Sequence, residues 1–171
     1  MIRPTLPSDE DTLVSLGVST GLFTEKEADA LLRDTLKQLH AGSLPEGHVT
    51  YVYTESNVAP PMGWIYLAPE ATDETSKPGR LWDLWWIGVA PARQGRGIGG
   101  KLLHFAEEVA SKGGGVGLRI ETSASEKLGT TRKFYTSKGY AEIARVKDAY
   151  GEGEDKIVFL TKFAERKGDH K

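Results

Sequence analysis

The period of hydrophobic residues changes several times along the chain, and each change predicts an element. Ile2 to Pro4 reads as a short strand, and Ser8 with Asp11 three residues later forms a capping-box pattern ahead of Leu13, Val14 and Leu16, which predicts a helix. The pattern breaks from Gly17 to Phe23. Thr24 and Glu27 repeat the capping box, after which Ala28, Leu31, Leu32, Thr35, Leu36 and Leu39 recur at helical spacing up to a stop near Gly42. The period then drops to two. His48 to Glu55 alternates Val49, Tyr51 and Tyr53 against Thr50 and Thr54, Asn57 to Pro61 forms a turn, and Met62 to Ala68 returns as the hairpin partner. Residues 69–79, rich in Glu, Asp, Thr, Pro and Gly, read as a mobile loop, and Leu81 to Val89 as a long central strand.

Beyond that strand, Ile98, Leu102, Phe105, Ala106 and Val109 share one face of a helix that Gly113-Gly114-Gly115 ends. Val116 to Thr122 is the next strand, Ser123 to Leu128 a connection, and Gly129 to Ser137 a short helix. Tyr140 to Lys147 and Lys156 to Thr161 are the last strands, around a Gly151-Glu152-Gly153 turn. The 171 residues suit one domain over 1–163, followed by a charged, disorder-prone tail at 164–171. A net charge of −2 speaks against a nucleic-acid partner. Without cysteine the chain has no disulfide, no thiolate metal site and no thiol nucleophile. Its apolar runs fall short of the ~20 residues that span a bilayer, and Met1-Ile2-Arg3-Pro4 lacks a signal-peptide core, so no membrane partner and a cytoplasmic location are expected. His40, His48, His104 and His170 are scattered without ligand spacing, which predicts surface or packing roles and no metal.

Candidate chemistry concentrates between the central strand and the helix after it, where Gly95, Gly97, Gly99 and Gly100 sit among Arg93, Gln94, Arg96 and Lys101. Glycines let the backbone turn sharply and approach a ligand, so several N–H groups can face one anion at the positive end of the helix. Three phosphate motifs compete. Gly95 to Lys101 satisfies G-x-x-x-x-G-K, but Leu102 stands where a Walker loop needs a hydroxyl for Mg²⁺. Gly95-x-Gly97-x-x-Gly100, with Glu121 downstream, fits the dinucleotide fingerprint, but too little chain follows for the further βαβ units of that fold. The third is Gln/Arg-x-x-Gly-x-Gly/Ala, met by Gln94, Gly97 and Gly99 after a strand with a Val-Ala-Pro exit.

On this loop the chain resembles the GNAT superfamily of N-acetyltransferases. A second motif agrees: Phe134-Tyr135-Thr136-Ser137-Lys138-Gly139-Tyr140 is similar to the family's Phe-Tyr-x-x-x-Gly-Phe/Tyr segment, and the two motifs span about residues 80–145. The resemblance implies an α/β acyl-CoA N-acyltransferase fold, with a mixed, mostly antiparallel central sheet flanked by helices. It implies acetyl-CoA as cosubstrate, with pyrophosphate on the N–H groups of Gln94, Gly95, Arg96, Gly97, Ile98, Gly99 and Gly100, Arg93 nearby, and backbone of Ile87, Gly88 and Val89 along the pantetheine arm. It further implies Tyr135 as general acid at the thioester sulfur; a phenol of ordinary pKa ~10 keeps its proton at neutral pH. Asp83, among Trp82, Trp85 and Trp86, is the candidate base, and Glu121 its rival. The family often has an asparagine seven residues before the tyrosine, but Leu128 stands there, leaving Thr130 or Thr131 as replacements.

Acceptor contacts are expected from Leu22 and Phe23 in the helix–helix loop, from Trp85, and from Tyr150 in the final hairpin. Acidic residues Asp148, Glu152, Glu154 and Asp155 could attract a cationic amine, or simply form a solvated turn. The resulting expectation is an N-acetyltransferase acting on a primary amine of a small metabolite in a ternary complex, since no cysteine can carry the acetyl group. A CoA-binding sensor and a protein or aminoacyl-tRNA acetyltransferase stand as alternatives. The amine and the oligomeric state, a homodimer included, stay open.

Overall fold

The computed structural model describes residues 1–71 and 81–164. The expected tail from 165 on, and most of the loop expected at 69–79, lie outside them. The chain runs through β1 (Ile2–Pro4), α1 (Glu10–Ser19), α2 (Glu25–Glu27), a π-helical turn (Ala28–Arg33), α3 (Asp34–His40), β2 (Val49–Tyr53), β3 (Gly63–Pro69) and β4 (Leu81–Val89). Then come α4 (Ile98–Lys112), β5 (Gly117–Ser123), α5 (Gly129–Ser137), β6 (Ala141–Gly151) and β7 (Glu154–Lys162). The strands form one mixed sheet in the order β1-β2-β3-β4-β5-β7-β6. The pairs β1/β2, β2/β3, β5/β7 and β6/β7 are antiparallel, while the neighbours β4 and β5 are joined through the crossover helix α4. No helix among the described residues is long and apolar enough to cross a membrane.

The residues group into two compact units, Met1–Ala68 with Leu84–Ala106, and Pro69–Asp83 with Glu107–Lys171. In the first, Leu13, Leu16, Phe23, Ala28, Leu32, Leu36, Val52 and Trp64 form a buried cluster. The expected break at Gly17 comes later, after Ser19, because Gly17 is a packing glycine inside α1: a Cβ there would lie 2.8 Å from Leu32 Cδ2. The Thr24–Glu27 capping box forms with both reciprocal bonds, 2.9 and 3.2 Å. The wide turn that follows rotates the helix face, so Ala28, Leu32 and Leu36 point inward at a spacing of four and Leu31 is exposed. In β2 the expected alternation is reversed: Thr50 and Val52 are the buried residues, and so is Thr54 just beyond the strand. The threonine hydroxyls tolerate burial by donating to Ile65 O and Ser56 O, both at 2.7 Å. Tyr51 is only half-buried and packs edge-on against Phe105 of α4 at 4.8 Å.

In the second unit Leu118 and Ile120 of β5 are buried with Ile157, Val158 and Phe159 of β7. Trp82 explains the glycine run that ends α4, because a Cβ on Gly113 or Gly115 would come within 2.4 or 2.5 Å of its indole. β6 is exposed along all 11 residues and runs on to Gly151, past the expected end at Lys147.

The first helix is not capped by the Ser8–Asp11 pair, since Asp11 accepts from Arg33 at 2.6 Å. Asp9 instead closes the 3-10 turn Pro7–Asp9 that leads into α1, and makes no side-chain cap bond to α1 itself. Its Oδ2 accepts from the Leu6 N–H at 2.8 Å, and its carboxylate takes two bonds from Arg3 at 2.8 and 3.0 Å. Burial works to raise the Asp9 pKa, but the bonds from Arg3 and Leu6 outweigh it and hold the group below its ordinary value of 3.8. Asp9→Ala strands the half-buried Arg3 guanidinium and opens the 3-10 turn ahead of α1, so urea unfolding at pH 7 should show a loss of about 1–3 kcal/mol. A carboxylate with a depressed folded pKa stabilises fully above its unfolded value and loses that contribution as pH falls through its folded value, so the gap between wild type and variant should narrow as pH falls below 3.8.

Candidate active site

The glycine-rich loop begins at the end of β4. Pro91–Arg93 makes a 3-10 turn, Gln94 is extended, and the backbone enters the left-handed region at Gly95 (φ 79°) and Gly97 (φ 80°). Only these two glycines supply the sharp turns. Gly99 and Gly100 are already in the first turn of α4, whose bond from Lys101 N to Gly97 O (3.1 Å) leaves the N–H groups of Ile98, Gly99 and Gly100 without partners inside the helix. Ile98 is buried and anchors that turn, while a Cβ on Gly95 or Gly97 would meet nothing within 4 Å. Open space over a left-handed backbone at a helix N-terminus suits a phosphate group, so the loop fits the pyrophosphate expected there.

The side chains of the loop also contact the protein around it. Gln94 donates from Nε2 to the Val89 carbonyl at 3.1 Å, bracing the loop against its own strand. Arg93 stands 3.4 Å from Glu55. Both arginines, Arg93 and Arg96, line a cavity of about 310 Å³ with Tyr53, Glu55, Met62 and Ile98. Upstream on β4, Gly88 is a packing position: a Cβ there would lie 2.4 Å from Trp64 Cζ3.

In the same unit the aromatic residues join into one network. Phe23 packs edge-on against Trp86 at 5.1 Å, Trp86 against Tyr66 at 5.2 Å, and Tyr66 against Trp85 at 6.2 Å. Of the expected acceptor contacts, Phe23 is a core residue, only 8% exposed, whereas Trp85 and Leu22 stand 56% and 41% exposed. His48 joins the network through a 2.6 Å bond between Nδ1 and Tyr66 Oη, a partnership with no signal in sequence spacing.

In the second unit Tyr135 is buried on α5 among Phe134, Tyr140 and Phe159. Burial pushes its phenol up to about 12, so the hydroxyl keeps its proton. Two features aim this helix. Arg132 ties it down by donating to Ser123 O and Ser125 O at 2.9 and 2.6 Å, and Gly139, at φ 90°, ends it with the Tyr140 N–H bonded to Tyr135 O. Leu128, at the place where the family often carries asparagine, is half-buried at the head of α5.

The two candidate bases are both in ion pairs. Asp83 accepts from Arg119 with each oxygen, at 2.6 and 3.0 Å, and Arg119 also stands 3.3 Å from Glu70. Sequence reasoning missed Arg119, whose signal was a lone cation between apolar residues of β5. Its pKa is raised, first by the bond to Asp83. Glu121 is 3.6 Å from Lys156 and helps raise the pKa of Tyr150, after burial. In the final hairpin Asp148 and Asp155 brace the turn itself, accepting from Gly153 N at 2.7 Å and Asp148 N at 3.1 Å.

Residues 45–142 match the model of the acetyltransferase (GNAT) domain. The chain belongs to the GNAT acetyltransferase family. A protein of Desulfovibrio desulfuricans assigned to the GNAT acetyltransferases is 33% identical, with a TM-score of 0.80 over 96% of this chain and 99% of that one. An aminoglycoside 6'-N-acetyltransferase in complex with coenzyme A shares the GNAT fold at 15% identity, with a TM-score of 0.73 over 97% and 98%. A ribosomal-protein-alanine N-acetyltransferase from Brucella melitensis shares it at 17%, with a TM-score of 0.70 over 95% and 99%. A comparison with curated proteins found no match. As a GNAT enzyme the chain is an acetyl-CoA-dependent N-acetyltransferase.

Two outcomes follow from the site geometry. Gly97→Val forces a β-branched residue to a positive φ and fills the space over the loop, so calorimetry should show acetyl-CoA binding at least tenfold weaker, about 1.4 kcal/mol. Gly97→Asn, which tolerates that backbone, should lose less. Asp83→Asn leaves Arg119 facing a neutral amide and should lower unfolding stability by about 1–3 kcal/mol, measured in urea.

Proposed function

We propose that the chain transfers the acetyl group of acetyl-CoA to a primary amine of a small metabolite, by direct attack in a ternary complex. The observation that carries this reading is the cradle: left-handed Gly95 and Gly97, open space above them, and the N–H groups that open α4 with no partner inside that helix. Those groups bind the pyrophosphate, with the two arginines adding charge at the rim, and backbone of Ile87 to Val89 holds the pantetheine arm. The exposed Trp85 and Leu22 favour an acceptor that is at least partly apolar. Direct transfer follows from the absence of cysteine, which removes the usual carrier of an acetyl-enzyme.

Tyr135 is the group proposed to meet the departing sulfur. A phenol held at about 12 is a weaker acid than a thiol of ordinary pKa ~8.5, so its part is to donate a hydrogen bond to the developing thiolate rather than to surrender its proton early. Asp83, with both oxygens taken by Arg119, is proposed to position rather than to remove a proton, and Glu121 to pair with Lys156.

Screening an amine library for release of free CoA tests the reading, and acetylation of small amines with an apolar side is the expected result. Turnover confined to protein or aminoacyl-tRNA acceptors would overturn the small-metabolite assignment. Tyr135→Phe removes one hydroxyl and keeps the ring, so kcat should fall by roughly 10–10³-fold with acetyl-CoA affinity little changed. Affinity falling in step with kcat would assign Tyr135 to binding instead.

A further inference from the structure

Asp83 has both oxygens on Arg119 and Glu121 stands 3.6 Å from Lys156, yet attack on a thioester requires the amine to lose a proton. The first unit holds a titratable side chain that the resemblance does not use. We propose that His48, held by Tyr66 beside Trp85, accepts the proton of the acceptor amine. This rests on the acetyl-transfer reading above and assigns its missing base.

The geometry supports the role in three ways. His48 is half-buried just ahead of β2, its Nδ1 is 2.6 Å from Tyr66 Oη on β3, and its ring centroid is 6.4 Å from that of Trp85 on β4. Trp85 is more than half exposed and lies two residues before Ile87, about 7 Å along the strand from the backbone proposed to hold pantetheine. The tautomer that donates from Nδ1 to the Tyr66 oxygen leaves the Nε2 lone pair available, and the same bond persists when the ring becomes imidazolium. Tyr66 suits this part, because burial pushes its phenol up to about 12 and keeps it neutral. Among the described residues Tyr66 is the titratable group in contact with the imidazole, and burial is what lowers the His48 pKa from its ordinary 6.5, so the ring is neutral at neutral pH.

The step balances. The nitrogen lone pair forms the N–C bond to the thioester carbonyl carbon, and the C–S bond breaks with its electron pair leaving on the CoA sulfur. The surplus proton on nitrogen passes to His48 Nε2 and then to solvent, while the thiolate is stabilised by Tyr135 and takes a proton from solvent.

The test is the pH profile of kcat/KM for the full chain, with acetyl-CoA and an amine from the library screen. The wild-type rate should fall on the acid side, below about 6.5, as His48 becomes charged. The amine's own ionisation lies well above that range and stays in every variant. His48→Gln should lower the rate by about 10²–10⁴-fold and abolish the acid limb, with acetyl-CoA affinity by calorimetry unchanged. Tyr66→Phe should keep most of the rate and move the limb; it carries the test by itself if His48→Gln does not fold. A wild-type rate and limb in His48→Gln, or an unmoved limb in Tyr66→Phe, overturns the assignment. A wild-type chain that binds acetyl-CoA and acetylates no amine overturns the acetyl-transfer reading along with it.

Discussion

Trp64 occupies the place where any side chain on Gly88 would have to stand, and the candidate site in the first unit is built outward from that contact. With no Cβ at Gly88, β3 and β4 can hold a fully buried indole between the sheet and the helical layer of α1 to α3. The indole N–H has no hydrogen-bond partner among the described residues, so shape and burial hold the ring in place. Trp86 and Ala90 pack against the same cluster, which fixes where β4 ends and the loop begins. The cradle inherits its direction from this: Ile98 is buried, and Ala90 N bonds to Met62 O at 2.8 Å on the neighbouring hairpin. A phosphate site made of backbone N–H groups needs such bracing, because its donors are only as well aimed as the chain that carries them.

Charge is handled differently in the two units. In the second, Arg119 on β5 gathers Asp83 and Glu70, and Tyr140 donates to Glu107 at 2.8 Å. These groups satisfy one another, which suits positioning better than proton transfer. In the first, the network around Tyr66 is aromatic and uncharged, with a neutral imidazole at its edge. An acceptor amine arriving there would meet apolar surface with few competing charges, and low local polarity favours its neutral, nucleophilic form.

Much of this was readable in order along the chain, because local rules fix local structure. The span of β4, the Thr24–Glu27 capping box, α5 and the two family motifs depend on residue type and spacing over a few residues. The cradle was legible for the same reason, since glycine, a basic run and a helix start are all sequence-local. Other features needed the tertiary structure, because they depend on which residues from distant segments meet. Thr50 and Thr54 share the buried face with Val52, and which face of the strand is buried is not visible in its own alternation. The chain enters α1 through a 3-10 turn closed by Asp9, whose carboxylate Arg3, six residues earlier, also reaches. Asp83 is committed to a cation 36 residues away, and His48 to a phenol 18 residues away, and no spacing rule pairs either. The sequence by itself therefore determined the family, the loop and the order of elements, whereas only the folded chain decided which titratable groups pair with one another, because those partners lie far apart in sequence.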